Sequence, residues 1–533
     1  KPLLILLILF AFICGISSAS ASDLSNDTDM ETYSAEITGI NNENQSILTD
    51  TGNTVYANNW NELKTYCEKS DKNYIIHLKE NTNFYPDNGT DYSQQIIVKN
   101  NVTIIGSEGS YFGDTNPNPI SIYYTPIVTE DDSKISLKIL NTTFKWMDLE
   151  KNIPAESGMF IQMGGNSKDN LLENSTFYNI NSGTGHGCVY YLKRGYATVK
   201  NCSFKNITTE FGVLSIYDPA EDPTKNCTTA GMLVENCYFE DNYAHVEPGC
   251  INNCGQLIVK NSTFYKNRAF WWAGAIHTHG GANTTIYNSN FTDNVAGWNG
   301  GALYTYSYLQ IYNTTFTGNN CTTNNGGGAI GACDYLTKYY ITINNSLFEN
   351  NANICKNTGR GGAISVMDEG GLTIHNTKFI NNSAAIGQAI CAYYVEGYGD
   401  DPNIELINNT FINHTGAADT LTIKLKTGTN TTAILKNNTY LNSTIKLKTF
   451  NIVPTSSNIE INKECEFKVI IELDNAGGYD EDILNKTFYK LYVNEIFEKE
   501  FGPESTFKLN ITQKETLLTI IPTIGYGNSK NIT

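Results

Sequence analysis

The chain has 533 residues, 40% of them hydrophobic and 17% charged, enough apolar material for one large folded body with a smaller companion and unlike a disordered chain. Its 54 acidic against 36 basic residues give a formal charge of -18 with no Lys/Arg cluster, which repels a phosphate backbone and excludes nucleic acid as a partner. The 13 cysteines are too sparse to serve as a scaffold, although the even number that follows the N-terminal apolar run suits an oxidising compartment.

The N-terminus reads Lys1, an apolar run over 3–13, then Cys14, Ala19, Ser20 and Ala21 before polar sequence. That order predicts a secretory signal segment over 1–21, cut after Ala21, and a polar leader over 22–55. Nothing later approaches 18 consecutive apolar residues, so no membrane insertion is expected after the signal segment, and the location is extracellular, secreted or at the cell surface. Twenty-four Asn-x-Ser/Thr sites agree with export.

A solenoid is expected over 56–453. Trp60, Leu63 and Cys67 lie at helix spacing and predict a short amphipathic helix that caps its open end. Coils then begin around Ile96 to Val98 and Val102 to Ile104. From there a phrase recurs eleven times: an aliphatic residue, a variable one, Asn, two further residues and an aromatic. The aromatics are Phe144, Phe177, Phe204, Phe239, Phe264, Phe291, Phe316, Phe348, Phe379, Phe411 and Tyr440, 25 to 35 residues apart. Three short strands with turns need roughly 20 to 30 residues, and stacking such coils about 4.8 Å apart buries their apolar interiors. The fold class is therefore all-β, a right-handed parallel β-helix, or pectate-lyase-like solenoid.

The Asn of each phrase is expected at a tight turn, in a buried ladder that could carry no sugar. Off-ladder Asn206, Asn290, Asn320 and Asn413 are then the better glycan acceptors. Cys202 and Cys237 occupy one slot in consecutive repeats, next to the ladder Asn, and are disulfide candidates. From Pro454 the pattern changes to period-two strands through Phe467, Val469, Ile471 and Leu473 and through Phe507, Leu509 and Ile511, which predicts an immunoglobulin-like β-sandwich over 454–533.

A second motif follows most aromatics: Gly274-Ala275-Ile276, Gly301-Ala302-Leu303, Gly328-Ala329-Ile330, Gly362-Ala363-Ile364 and the variant Gln388-Ala389-Ile390. Alternation after it turns Ile276, Thr278, Leu303 and Thr305 to the core and His277, His279, Tyr304, Tyr306 and Tyr393 outward. Outward rings on a flat sheet can stack on sugars; the bland alternative is that they pack under loops or on one another. His277 and His279 lack a third converging ligand in sequence, so no metal or cofactor is expected. Nor do Asp400 and Asp401 make a Ca²⁺ site alone.

The paired Gly-Gly-Ala-Ile and Phe-x-x-Asn elements, the latter at Phe239 to Asn242, Phe264 to Asn267, Phe291 to Asn294, Phe316 to Asn319, Phe348 to Asn351 and Phe379 to Asn382, resemble the polymorphic outer membrane protein repeat. With the terminal sandwich, the whole resembles the adhesin-like surface proteins of methanogenic archaea. That resemblance implies a non-enzymatic protein binding extracellular glycans or surface proteins along its solenoid, and it supplies no catalytic residues. The alternative by fold analogy is a polysaccharide-degrading glycosidase or lyase. Asp334 and Asp368, after equivalent strands of neighbouring coils, are its candidate carboxylate pair, while the outward stripe offers no Lys or Arg suited to a lyase.

Overall fold

The computed structural model describes residues 53–523 apart from 131–133, 150–158, 183–187, 218–228, 325, 334–337, 369, 395–401, 425–432, 445–446, 457–461, 474–487, 503–505 and 513–517. The expected signal segment and most of the polar leader lie outside the described residues. No helix among the described residues is long and apolar enough to cross a membrane.

The described chain winds as a right-handed parallel β-helix, the alternating aliphatics of each phrase folding as short strands that pair with the same strands one coil on. A first sheet of 14 parallel strands runs from Asn53–Ala57 to Ile434–Lys436, and a third of 12 from Ile96–Val98 to Leu421–Lys424. Between them the second sheet carries the aromatic phrase in strict register: Phe144 pairs with Phe177, Phe264 with Phe291, Phe411 with Tyr440. Their rings stack inside the coil at centroid spacings of 4.2 to 5.0 Å, close to the strand separation itself. Phe84 and Phe112 extend this row toward the N-terminus.

The turn and the buried ladder expected of one asparagine are divided between two. Those three residues before the aromatic, Asn141 through Asn437, are exposed and hold left-handed backbone, φ 49 to 57°, which Asn tolerates better than other side chains. The turn placement therefore holds and the burial does not. The buried ladder is instead the Asn three residues after the aromatic. Asn242, Asn267, Asn294, Asn319, Asn351 and Asn382 are all buried, and the side-chain amide of each of the first five donates to the carbonyl oxygen of the next at 2.9 to 3.0 Å. Each ladder amide also donates to a backbone carbonyl, as Asn294 does to Phe264 at 3.0 Å. A short polar side chain can do this inside a coil only because the ladder satisfies all its hydrogen-bonding capacity.

His414 ends this row, with Nε2 3.5 Å from the Asn382 amide nitrogen, and burial pulls its pKa down to about 3. Unfolded histidine takes up a proton near pH 6.5, whereas the folded chain resists it until about pH 3. Stability is thus fully present above pH 6.5 and falls as pH drops toward 3, by up to about 1.4 kcal/mol per unit for this group. His414→Asn, which continues the ladder, should remove about one proton from the pH dependence of unfolding; an unchanged slope would place the acid sensitivity elsewhere.

A glycine row marks the corner between the second and third sheets. An ideal Cβ on Gly249, Gly274, Gly301 or Gly328 would lie 2.0 to 2.3 Å from the carbonyl oxygen of the next glycine in the row, so no larger residue fits that close approach. The strands that follow place Ile276, Thr278, Leu303, Thr305, Ile364, Val366, Ile390 and Ala392 in the interior, as the alternation predicts.

At the N-terminus α1 (Trp60–Cys67) is capped by Asn59, whose side chain accepts from the Glu62 N–H at 2.9 Å. It buries Trp60, Leu63 and Cys67, and the Trp60 ring meets Phe112 and Phe160 edge-on, at 6.4 and 6.5 Å. C-terminal to the coils are two antiparallel three-stranded sheets. One joins Leu447–Pro454, Glu464–Leu473 and Thr506–Asn510; the other joins Phe488–Val493, Ile496–Phe501 and Leu518–Thr523. Phe467, Val469, Tyr489, Leu491, Phe507, Leu509 and Ile511 from the two form one apolar cluster.

Candidate active site

Aligning coils on the corner glycine shows what covers the outer face of the third sheet. Two residues before Gly249, Gly274, Gly301 and Gly362 stand Glu247, Trp272, Asn299 and Arg360. Glu247, Trp272 and Arg360 lie against His277, Tyr304 and Tyr393, so these outward rings pack under corner residues and on one another, the alternative to rings that face solvent. His277 is fully buried, Tyr304 and Tyr393 are buried, and only His279 and Tyr306 are partly exposed. Tyr304, Cys333, Met367, Cys391 and Tyr393 form an apolar cluster with Trp272, Tyr306 and Ile386 outside the main core.

His277 is in register with Asn252 of the preceding coil and Tyr304 of the next. Its ring lies 5.0 Å from that of Tyr304 and 5.7 Å from that of Trp272, centroid to centroid, with His279 at 4.0 Å. The Glu247 N–H donates to the Glu210 carbonyl at 3.0 Å, which fixes the corner so that its carboxyl touches His277 Nδ1. Glu247, His277 and His279 thereby bring donor atoms within 4.8 Å of one another. The third group that the sequence did not reveal is therefore Glu247, delivered from one coil earlier.

Burial sets the charges. It pushes the Glu247 carboxyl up to about 7, against the opposing effect of His279, and pulls His277 down to about 3. His279 is also pulled down to about 3, by burial and by His277, with Glu247 acting the other way. At neutral pH both imidazoles are neutral, so the contact of His277 with Glu247 is not an ion pair. Glu247 Oε2 and His277 Nδ1 have only each other, and His277 Nε2 has no hydrogen-bond partner, a deficit that ordinarily costs about 1–3 kcal/mol for a buried atom. His279, by contrast, is held at both nitrogens: Nε2 lies 2.7 Å from Asn252 Oδ1 and Nδ1 2.8 Å from the Tyr306 hydroxyl. These partners imply hydrogen on Nε2 and a hydroxyl donating to Nδ1.

Beside this cluster the chain exposes an aromatic ridge. Phe270 and Trp298 are 61% and 41% exposed, and Trp271 stacks on Trp298 at 6.1 Å. Farther along, the Arg360 guanidinium lies 3.9 Å from the Tyr393 ring centre and donates to its hydroxyl. The stripe therefore does hold a cation, contrary to the sequence reading, because Arg360 reaches it from a corner and not from a strand.

The remaining candidates lie apart. Asp334, Asp400 and Asp401 are outside the described residues. Asp368 is buried with φ 57°, and its carbonyl accepts from the Tyr339 hydroxyl at 3.3 Å. Cys202 and Cys237 are buried thiols that directly precede the paired strands Ser203–Thr209 and Tyr238–Glu240. Burial and the neighbouring Cys237 push the Cys202 thiol well up. They occupy a row that hydroxyls fill elsewhere between Thr142 and Thr377, and like Ser175 and Ser262 they bond the carbonyl two residues back. Asn206, Asn290 and Asn413 are exposed; Asn320 is half-buried and donates to the Gly318 carbonyl at 2.9 Å.

The profile of right handed beta helix regions matches residues 126–316. No protein of curated function matches the sequence. Among solved structures, similarity extends to a mannuronic acid specific polysaccharide family 6 lyase from human gut microbiota, 9% identical over 70% of this chain and 82% of that one, TM-score 0.30. It extends to the catalytic domain of a GH87 alpha-1,3-glucanase in complex with nigerose, 12% identical over 73% and 69%, TM-score 0.27. A third is the tailspike protein gp49 of Acinetobacter baumannii bacteriophage Fri1, a capsular polysaccharide depolymerase, 12% identical over 90% and 84%, TM-score 0.24. Similarity this distant transfers neither residue roles nor substrates. These proteins are nevertheless polysaccharide-active, and they are not archaeal adhesin-like or polymorphic outer membrane proteins. The family resemblance, the non-enzymatic attachment role and the expectation that the chain is no enzyme are corrected accordingly.

Proposed function

We propose that the chain is a polysaccharide-degrading enzyme acting on extracellular glycans, with Glu247, His277, His279 and Tyr306 as its reactive centre. The observation that carries this reading is the convergence of Glu247 with both histidines beside the exposed Phe270, Trp271 and Trp298 ridge. Sugar faces stack on such rings, while acid and base groups wait at the partly buried edge. Tyr304, stacked on His277, and Tyr393, beneath Arg360, hold this face in shape. Elimination suits the centre better than hydrolysis. Hydrolysis takes two carboxylates about 5 to 9 Å apart, whereas the cluster supplies one. Arg360 stands three coils from His277, about 14 Å at the usual strand spacing, and suits the carboxylate of a uronate residue in a neighbouring subsite.

Incubation with a panel of uronate-containing and neutral polysaccharides tests this, followed by ultraviolet absorbance for unsaturated ends and by reducing-end release. Tyr306→Phe and His279→Gln should each lower turnover by about 10²- to 10⁴-fold with unfolding unchanged. Reducing ends without unsaturation would replace elimination by hydrolysis, and no cleavage across the panel would sink the enzyme reading.

We further propose that the two C-terminal sheets make an immunoglobulin-like sandwich, supported by their shared apolar cluster, and that the chain is exported with glycans at Asn206, Asn290 or Asn413. Neighbouring strands about 4.8 Å apart fall within the Cα range that a disulfide spans, which supports a Cys202–Cys237 bond in an oxidising compartment. Peptide mapping without reductant should recover the two cysteines cross-linked; either one found alkylated as a free thiol defeats the pairing.

A further inference from the structure

We infer that Glu247, His277 and His279 bind a first-row transition-metal dication, Zn²⁺ being the best fit to two imidazoles and one carboxylate. The inference rests on the reading of this cluster as the reactive centre and adds a cofactor to it. Two observations carry it independently. The first is the donor set itself: three ligand atoms from two adjacent coils lie within 4.8 Å of one another. Two donors on a tetrahedral ion with bonds of about 2.0–2.2 Å stand about 3.3 Å apart, a difference that side-chain rotation closes. The second is a buried atom of the cluster without a partner. Glu247 Oε2 and His277 Nδ1 have only each other, and His277 Nε2 has no hydrogen-bond partner, although His277 is wholly removed from solvent and the asparagine ladder beside it is fully bonded. An ion accepts a lone pair from each ligand and removes that deficit.

The surroundings suit the same assignment. Asn252 Oδ1, 2.7 Å from His279 Nε2, fixes the tautomer that leaves Nδ1 with its lone pair, the outer-shell arrangement metal-binding histidines ordinarily have. The Tyr306 hydroxyl, 2.8 Å from Nδ1, would move to the open position of the ion, where water or a substrate oxygen binds. His277 lies in the strand Ile276–Thr278 and His279 follows it directly, two residues on, with the two rings 4.0 Å apart. Nitrogen and oxygen donors without sulfur favour Zn²⁺ and its transition-metal neighbours over Ca²⁺, which takes six to eight oxygens.

The experiment titrates ZnCl₂ into the chelator-stripped full chain by calorimetry, and Co²⁺ with visible absorbance. We expect one equivalent bound, a raised unfolding midpoint, cobalt bands of a nitrogen and oxygen site without a thiolate charge-transfer band, and loss of that equivalent in Glu247→Gln and in His279→Gln. Failure of the native chain to bind, a thiolate band that assigns the ion to cysteines, or an equivalent retained in the doubly substituted chain overturns the site. Should the variants not fold, the cobalt spectrum of the native chain decides. A chain that binds Zn²⁺ through these residues but cleaves no polysaccharide supports the ion site and sinks the enzyme reading. Cleavage by a chain that binds no dication overturns the ion site alone.

Discussion

Phe291→Ala should lower the stability of the coil region by about 3–5 kcal/mol, the usual result of emptying a buried aromatic site. The ring is fully buried, stacked between Phe264 at 4.6 Å and Phe316 at 4.9 Å, and both neighbours are fixed by strand register. They cannot collapse into the space without breaking the ladder on either side, so the cavity remains. The measurement is the denaturant midpoint of unfolding, with the slope compared to show that the denatured state is unchanged. A midpoint shift near zero at constant slope would contradict the inward orientation of the aromatic row.

Asn319→Leu should cost about 3 kcal/mol or more, although leucine is the more hydrophobic residue and branches at the same carbon. Asn319 donates to the Phe291 carbonyl and to Asn351 Oδ1, both at 2.9 Å. Its own Oδ1 accepts from the Asn294 N–H at 3.0 Å and from the Asn294 amide at 2.9 Å. Substitution strands a backbone carbonyl, a backbone N–H and a neighbouring amide, each costing about 1–3 kcal/mol when buried without a partner. Thermal unfolding measured beside Phe291→Ala gives the comparison. A loss well under about 1 kcal/mol would show that water replaces the side chain and that the ladder is dispensable.

The solenoid was legible because its phrase holds three positions at once. Where two of them lapse the phrase is not recognisable: Phe112 has Gly109 in place of Asn and Ser107 in place of the aliphatic, yet it pairs with Phe144 as the others do. The asparagine error has a different cause. Both asparagines recur with equal regularity, and periodicity alone does not tell a left-handed turn on the surface from an amide inside the coil. Only the partner list separates them. His277 and His279 were found by strand alternation, whereas Glu247 was hidden because Cys250 replaces Ala in its corner motif and Pro248 precedes the glycine. The same alternation turned Tyr304 and Tyr393 outward correctly but could not show that Trp272 and Arg360 fold over them, since corner residues obey no two-residue period.

The strands of each described coil pair with those of the adjacent coils, and this makes the molecule unusual among β proteins in its topology. Ladder partners are 25 to 32 residues apart along the chain from Asn242 to Asn382. Set against 533 residues, that separation corresponds to a relative contact order of about 0.05 for the ladder, below the range of about 0.07–0.12 that marks fast-folding helical bundles. Closing one coil costs a loop entropy that depends only on its own length, and each doubling of that length adds about 0.6 kcal/mol. Lengthening the rod by another coil therefore leaves every earlier closure unchanged.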